Sequence, residues 1–87
     1  MLGEPTIKDV KLKIGSWCKT KRRQHDLSQE DLAQALDMSR LTIHKLEDGK
    51  NVTLDTLLKV VNHFEMLEAV YKAVDADIAN NNINSLY

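Results

Sequence analysis

LSQEDLAQALDMSRLTIHKLEDGK, residues 27–50, decides how this chain is read. Its apolar residues follow two short helical periods separated by a tight turn. Ser28 is a good N-cap, and Asp31 three positions on comes close to a capping box. Glu30 and Asp31 put acids in the first turn, where the helix dipole favours them. Leu32, Ala33 and Leu36 then make the buried face of a helix over about 28–36. Asp37 stands where the chain must turn, and aspartate tolerates a left-handed conformation better than most residues. Ser39 caps the next helix, over about 39–48, in which Ile43 and Leu46 face inward and Gly49 is the C′ residue. Two short helices set at such a turn form the geometry needed to read a DNA groove: one braces and one inserts.

On the N-terminal side, Ile7, Val10, Ile14, Trp17 and Cys18 fall at helical spacing and predict a first helix over about 8–24. Gly15 weakens its interior and marks a candidate break. On the other side, Thr53 or Asp55 begins a fourth helix whose stripe is Leu54, Leu57, Leu58, Val61 and Phe64. A fifth helix is expected over about 67–78, with Val70, Tyr71, Val74 and Ile78 on one side. The polar tail from Asn80 has little helix propensity. It is expected to be disordered, or to dock through Ile83, Leu86 and Tyr87 as a short strand or hook. The expected organisation is a lead-in over 1–6, a helical domain over 7–79 and a tail over 80–87. The fold class is all-α, with five helices and no strand signal.

Eighty-seven residues with few aromatics and one proline suit one small helical domain with a modest core. A lone cysteine, Cys18, fits a reducing, cytoplasmic setting and reads as a small core residue. No apolar run is long enough to span a membrane, and no signal-peptide core is present. The net charge of −1 at first argues against a nucleic-acid partner. Its distribution argues otherwise: residues 8–25 carry seven basic side chains and one acid, whereas residues 26–48 carry six acids and two bases. The segregation allows one basic face on a nearly neutral molecule.

The pattern Ile14-Gly15, Arg22, Leu27-Ser28-Gln29, Leu32-Ala33, Ser39, Thr42-Ile43, Leu46-Glu47-x-Gly49 and Thr56-Leu57-Leu58 resembles the helix-turn-helix domains of the phage Cro and repressor family, also called XRE-type regulators. The resemblance covers Ile14 to Leu67 and implies a lambda-repressor-like five-helix DNA-binding domain. It implies that Gln29 clamps a phosphate and steadies the start of the recognition helix, and that Arg40 and Leu41 hold the main base-reading positions. Ser39, Arg40, Leu41, His44 and Lys45 point away from Ile43 and Leu46 and form that helix's outward surface, Thr42 is counted with them as a DNA contact, and Lys50 resembles a phosphate contact. Arg22 and Glu47 match a family pair that forms a largely buried salt bridge. The chain departs from the pattern at Asp37, where glycine is usual, at Lys21, where many relatives are apolar, and after Gly49, where no proline follows.

The partner implied is double-stranded DNA, bound by a homodimer, because one helix-turn-helix reads only a few base pairs. The apolar stripe left over on the fifth helix, with Val70, Tyr71 and Val74, is the expected dimer contact. Repression by occupying a promoter is the expected role. Two other versions stay open: an antitoxin that also binds a toxin protein, and an adaptor that keeps the fold without binding DNA. A basic run such as Lys19-Lys21-Arg22-Arg23 is commonly only a solvated helix face. His25, His44 and His63 are too far apart in sequence to share a helical turn, so no metal site is expected. With no glycine-rich phosphate loop or paired acid and base, no enzyme activity and no cofactor are expected either.

Overall fold

The computed structural model describes residues 3–85, with side chains through Asn81. Five helices follow one another: α1 (Ile7–Gln24), α2 (Gln29–Ala35), α3 (Arg40–Glu47), α4 (Leu54–His63) and α5 (Leu67–Ser85). Among the described residues there is no strand. α3 packs on both α1 and α2, while α5 meets the body chiefly through α4.

Four of the starts are capped by a side-chain oxygen. Thr6, Ser28, Ser39 and Thr53 accept from the backbone N–H three residues on, and Asp9 and Asp31 return the bond to Thr6 and Ser28. The box at Thr6 starts α1 at Ile7, one residue earlier than its apolar period predicts. Of the two candidate starts for α4, Thr53 is the cap and Asp55 lies in the first turn.

Four ends share one device. Asp26, Asp37, Gly49 and Glu65 have φ between 54° and 73°, each one residue past a helix's C-cap. The N–H groups of these residues reach Arg23, Gln34, Leu46 and Asn62, and those of the next residues reach Arg22, Ala33, Lys45 and Val61, at 2.9–3.2 Å. These are Schellman closures, which satisfy carbonyls that a helix end leaves free. Asp37 does adopt the left-handed conformation, and so do Asp26 and Glu65, which composition does not single out.

The core is built from Cys18 (α1), Leu32 and Ala33 (α2), Ile43 and Leu46 (α3), and Val60 and Phe64 from the α4 region. Trp17 meets the Phe64 ring edge-on at 5.9 Å and His25 stacks on it at 5.4 Å. Three apolar patterns need correction. On α1 the buried line is Gly15, Cys18 and Arg22, while Ile7 and Val10 are exposed. Counting apolar residues misses this line because its members include a residue with no side chain and a charged one. On α4, Leu54 is 69% exposed and Val60 fully buried.

The third correction concerns α5, which does not stop near residue 78 but continues to Ser85. Extending a nucleated helix costs little per residue, even for asparagine, so low propensity alone does not end it. Ile83 therefore lies in a helix and not in a strand, while Leu86 and Tyr87 lie outside the described residues.

Gly15 is not a break. α1 runs through it, and a Cβ there would lie 2.5 Å from the Glu47 carbonyl oxygen and 2.6 Å from that of Leu46. The absence of a side chain lets α1 lie against the end of α3. Gly15→Ala should gain about 1 kcal/mol of helix propensity but force backbone apart. The net expectation is a loss of roughly 1–3 kcal/mol. Urea unfolding checks it, and an unchanged or raised midpoint would contradict the packing argument.

Candidate nucleic-acid interface

α3 has two distinct sides. Ile43 is fully buried and Leu46 is 4% exposed, which anchors the helix from behind. On the other side Arg40, Leu41, His44 and Lys45 are exposed, with Leu41 at 58%. An exposed leucine among basic side chains presents apolar contact area beside hydrogen-bond donors. Base edges in a major groove call for that mixture. Ser39 and Thr42 sit at the start of the same helix, their hydroxyls 2.9 Å apart and engaged in the cap. His44 Nε2 lies 3.1 Å from Asp48 Oδ2, so this ring faces the acid at the C-cap of its own helix.

Behind this surface lies a buried ion pair. Arg22 Nε donates to Glu47 Oε2 at 2.7 Å and Nη2 to Oε1 at 3.0 Å, while Nη1 donates to the Leu27 carbonyl at 2.9 Å. The side chains are only 9% and 2% exposed. The bidentate fork joins α1 to the last residue of α3 and ties in the turn before α2. Burial alone pushes the Glu47 carboxyl up, but hydrogen bonds from Arg22 and Gln29 outweigh it and hold the group below the usual carboxylate range. The hydrogen bond to Glu47 raises Arg22, which stays charged. Burial pushes the neighbouring Cys18 thiol up to about 12, the Glu47 charge adding to it. Such a thiol is an inert packing group and not a nucleophile.

Gln29 stands between this pair and the outer surface. Its Nε2 donates to Glu47 Oε1 at 3.1 Å, and its Oε1 accepts from Arg40 Nη1 at 3.5 Å. One of the two amide protons is thus taken by Glu47, and the other is left to donate outward.

Lys50 is exposed just after the α3 closure, and Lys11 is brought to the same end of the molecule. Lys11 donates to the Asn51 side chain, and both lysines line one shallow pocket with Asn51 and Thr53. Sequence reading names Lys50 and misses Lys11, because 40 positions separate Lys11 from Asn51 and no local pattern links them. Val70, Tyr71 and Val74 lie on α5 and are exposed.

Among the described residues no group of three metal-ligating side chains comes together, and no helix is long and apolar enough to cross a membrane. A family model described as helix-turn-helix matches residues 19–69 of the chain, more than half of it. The match takes in all of α2, α3 and α4 with the adjoining ends of α1 and α5. None of the curated proteins compared matches the chain.

The ion pair carries a pH prediction. A carboxyl held low in the folded state contributes stability that is complete above its unfolded value, about 4.3 for glutamate, and is lost as pH falls through the folded value. Asp9 and Asp31, each lowered by hydrogen bonds from its cap residue, act with the same sign. Urea midpoints should therefore fall steeply below about pH 4. The double variant Arg22→Met, Glu47→Leu should show a shallower fall, whereas Glu47→Ala alone should lose roughly 3–5 kcal/mol at neutral pH by stranding Arg22. Equal acid slopes for the parent and the double variant would contradict the assignment.

Proposed function

The chain belongs to the helix-turn-helix family of DNA-binding transcriptional regulators, and from that premise we propose that it is a repressor that binds a near-palindromic operator as a homodimer. The observation that carries this reading is the two-sided α3: Ile43 and Leu46 fasten it to the body, and Arg40, Leu41, His44 and Lys45 face outward. Placed in a major groove, Arg40 makes a bidentate contact to guanine, worth roughly 1–3 kcal/mol of discrimination. Leu41 touches a thymine methyl, Lys45 reaches bases or backbone, and Ser39 and Thr42 lie at the groove edge. Gln29 donates its remaining amide proton to a phosphate. Lys50, with Lys11 beside it, adds positive charge at the loop after α3.

The basic side chains of α1 offset the acidic balance of the reading segment itself. Phosphate contacts of this kind make affinity salt-dependent, while base contacts set the sequence. Replacing Gln29 and Arg40 with alanine should abolish operator binding with the helical content unchanged. Selection from random DNA, followed by binding at several salt concentrations, checks this. Retained affinity with an unchanged salt slope would remove Gln29 and Arg40 as DNA contacts, and a parent chain that enriches no site would point to an adaptor that keeps the fold without binding DNA.

The homodimer rests on α5. Leu67, Val70, Tyr71, Val74 and Ile78 are between 38% and 69% exposed along one helix. An isolated helix of 19 residues, about 29 Å long, has little stability without a packed face. The radius of gyration, 15.3 Å, exceeds the roughly 12 Å of a compact chain of this length. Both facts favour a partner along α5, and a second copy supplies one with the two-fold symmetry that half-sites about 34 Å apart require. An antitoxin would offer the same helix to a toxin protein. Sedimentation should give a dimer at tens of micromolar, a range typical of modest interfaces, and Val74→Glu should give a folded monomer with weakened operator binding. A monomeric parent chain at that concentration would remove the homodimer reading.

A further inference from the structure

Glu47 and Arg40 are the last and first residues of α3, seven positions apart. Seven residues make almost two full turns, so both lie on nearly the same side of the helix, about 10.5 Å apart along its axis. Gln29 of α2 spans the gap and touches both.

The polarity of that bridge is not free. A carboxylate only accepts, so the amide end 3.1 Å from Glu47 Oε1 must be the nitrogen. The opposite end, facing Arg40 Nη1 at 3.5 Å, is then the carbonyl, which a guanidinium needs. A flipped amide would set two oxygens against each other at Glu47 and two donors against each other at Arg40. Glu47 is itself held still: Arg22 grips both of its oxygens, and Cys18 Sγ lies 3.8 Å from Oε2. The contact to Arg40 is long, so it biases the direction of an exposed side chain and does not lock it.

We propose that Glu47 is a positioning residue for base reading: its buried carboxylate sets the orientation of the Gln29 amide, whose carbonyl steers Arg40 toward the groove. The proposal rests on the reading of Arg40 as a base contact. It gives the buried pair a role beyond holding α1 to α3. It also separates the two tasks of Gln29, whose carbonyl directs Arg40 while its second amide proton stays available to phosphate.

The test measures discrimination between the selected operator and the same site with the Arg40-contacted guanine replaced by adenine. It uses the full chain and its Arg22→Met, Glu47→Leu variant, which removes both charges and keeps an apolar, similarly sized core. The parent chain should prefer guanine by roughly tenfold or more. The variant should lose most of that preference while its salt slope stays unchanged. In an Arg40→Ala background the double substitution should change discrimination no further, as expected of residues acting through one another. A folded variant with the full parental preference would overturn the proposal and leave Glu47 a scaffold residue only. A parent chain with no preference at that base pair would overturn the DNA-reading assignment of Arg40, and this inference with it. A second measurement needs no variant. Side-chain amide NMR of the parent chain should show one Gln29 Nε2 proton exchanging slowly, and two freely exchanging protons would equally overturn the proposal.

Discussion

Arg22 and Glu47 meet in the interior, two nitrogens on two oxygens, and the body of the molecule is arranged around their contact. The pair fixes where the end of α3 lies along α1, and the third guanidinium nitrogen holds the Leu27 carbonyl at the entrance to α2. Three of the five helices are thereby registered by one side chain. Such a pair does not stabilise in proportion to its hydrogen bonds, because taking two charges out of water offsets much of their attraction. What it supplies is uniqueness: any slip of α3 along α1 leaves a buried charge unmatched. No buried side-chain polar atom among the described residues lacks a partner, so the polar interior is fully satisfied.

That contact constrains the backbone as well. The guanidinium and carboxylate can meet only if α1 and the end of α3 lie close, and Gly15 permits the approach by presenting no side chain to the carbonyls of Leu46 and Glu47. Gly49 contributes at the same junction. Its positive φ closes α3, and a Cβ there would lie 2.8 Å from the Leu12 side chain. The repeated Schellman closures keep the connections between helices short, which brings α2, α3 and α4 together without long loops. α3 emerges from this frame held from behind, with an outer surface free of packing duties.

The charge distribution belongs to the same economy. Two of the reading segment's acids, Glu30 and Asp31, stand in the first turn of α2, where they suit the dipole and Asp31 completes a capping box. The recognition helix carries none in its first turn, where Arg40 stands. Positive charge is supplied by α1 and, at the segment's own end, by Lys50, so the near-neutral total conceals a division of labour. α5 stands apart from this frame, with most of its apolar stripe turned to solvent and little of the body behind it.

The sequence by itself determined the helix-turn-helix segment: the caps at Ser28 and Ser39, the inward Leu32, Ala33, Ile43 and Leu46, the left-handed Asp37 and the closing glycine. All of these rest on interactions three to five residues apart, and such spacings are written directly in residue order. The tertiary structure alone decided which line of α1 is buried, since Gly15 and Arg22 carry no apolar signal. It also decided that Lys11 sits beside Asn51, that Gln29 is divided between Glu47 and Arg40, and that α5 outruns its apolar period to Ser85. The Gln29, Arg22 and Lys11 contacts join residues up to 40 positions apart. Their energies depend on how helices cross and on which charges lose their water, and neither has a local signature in the chain.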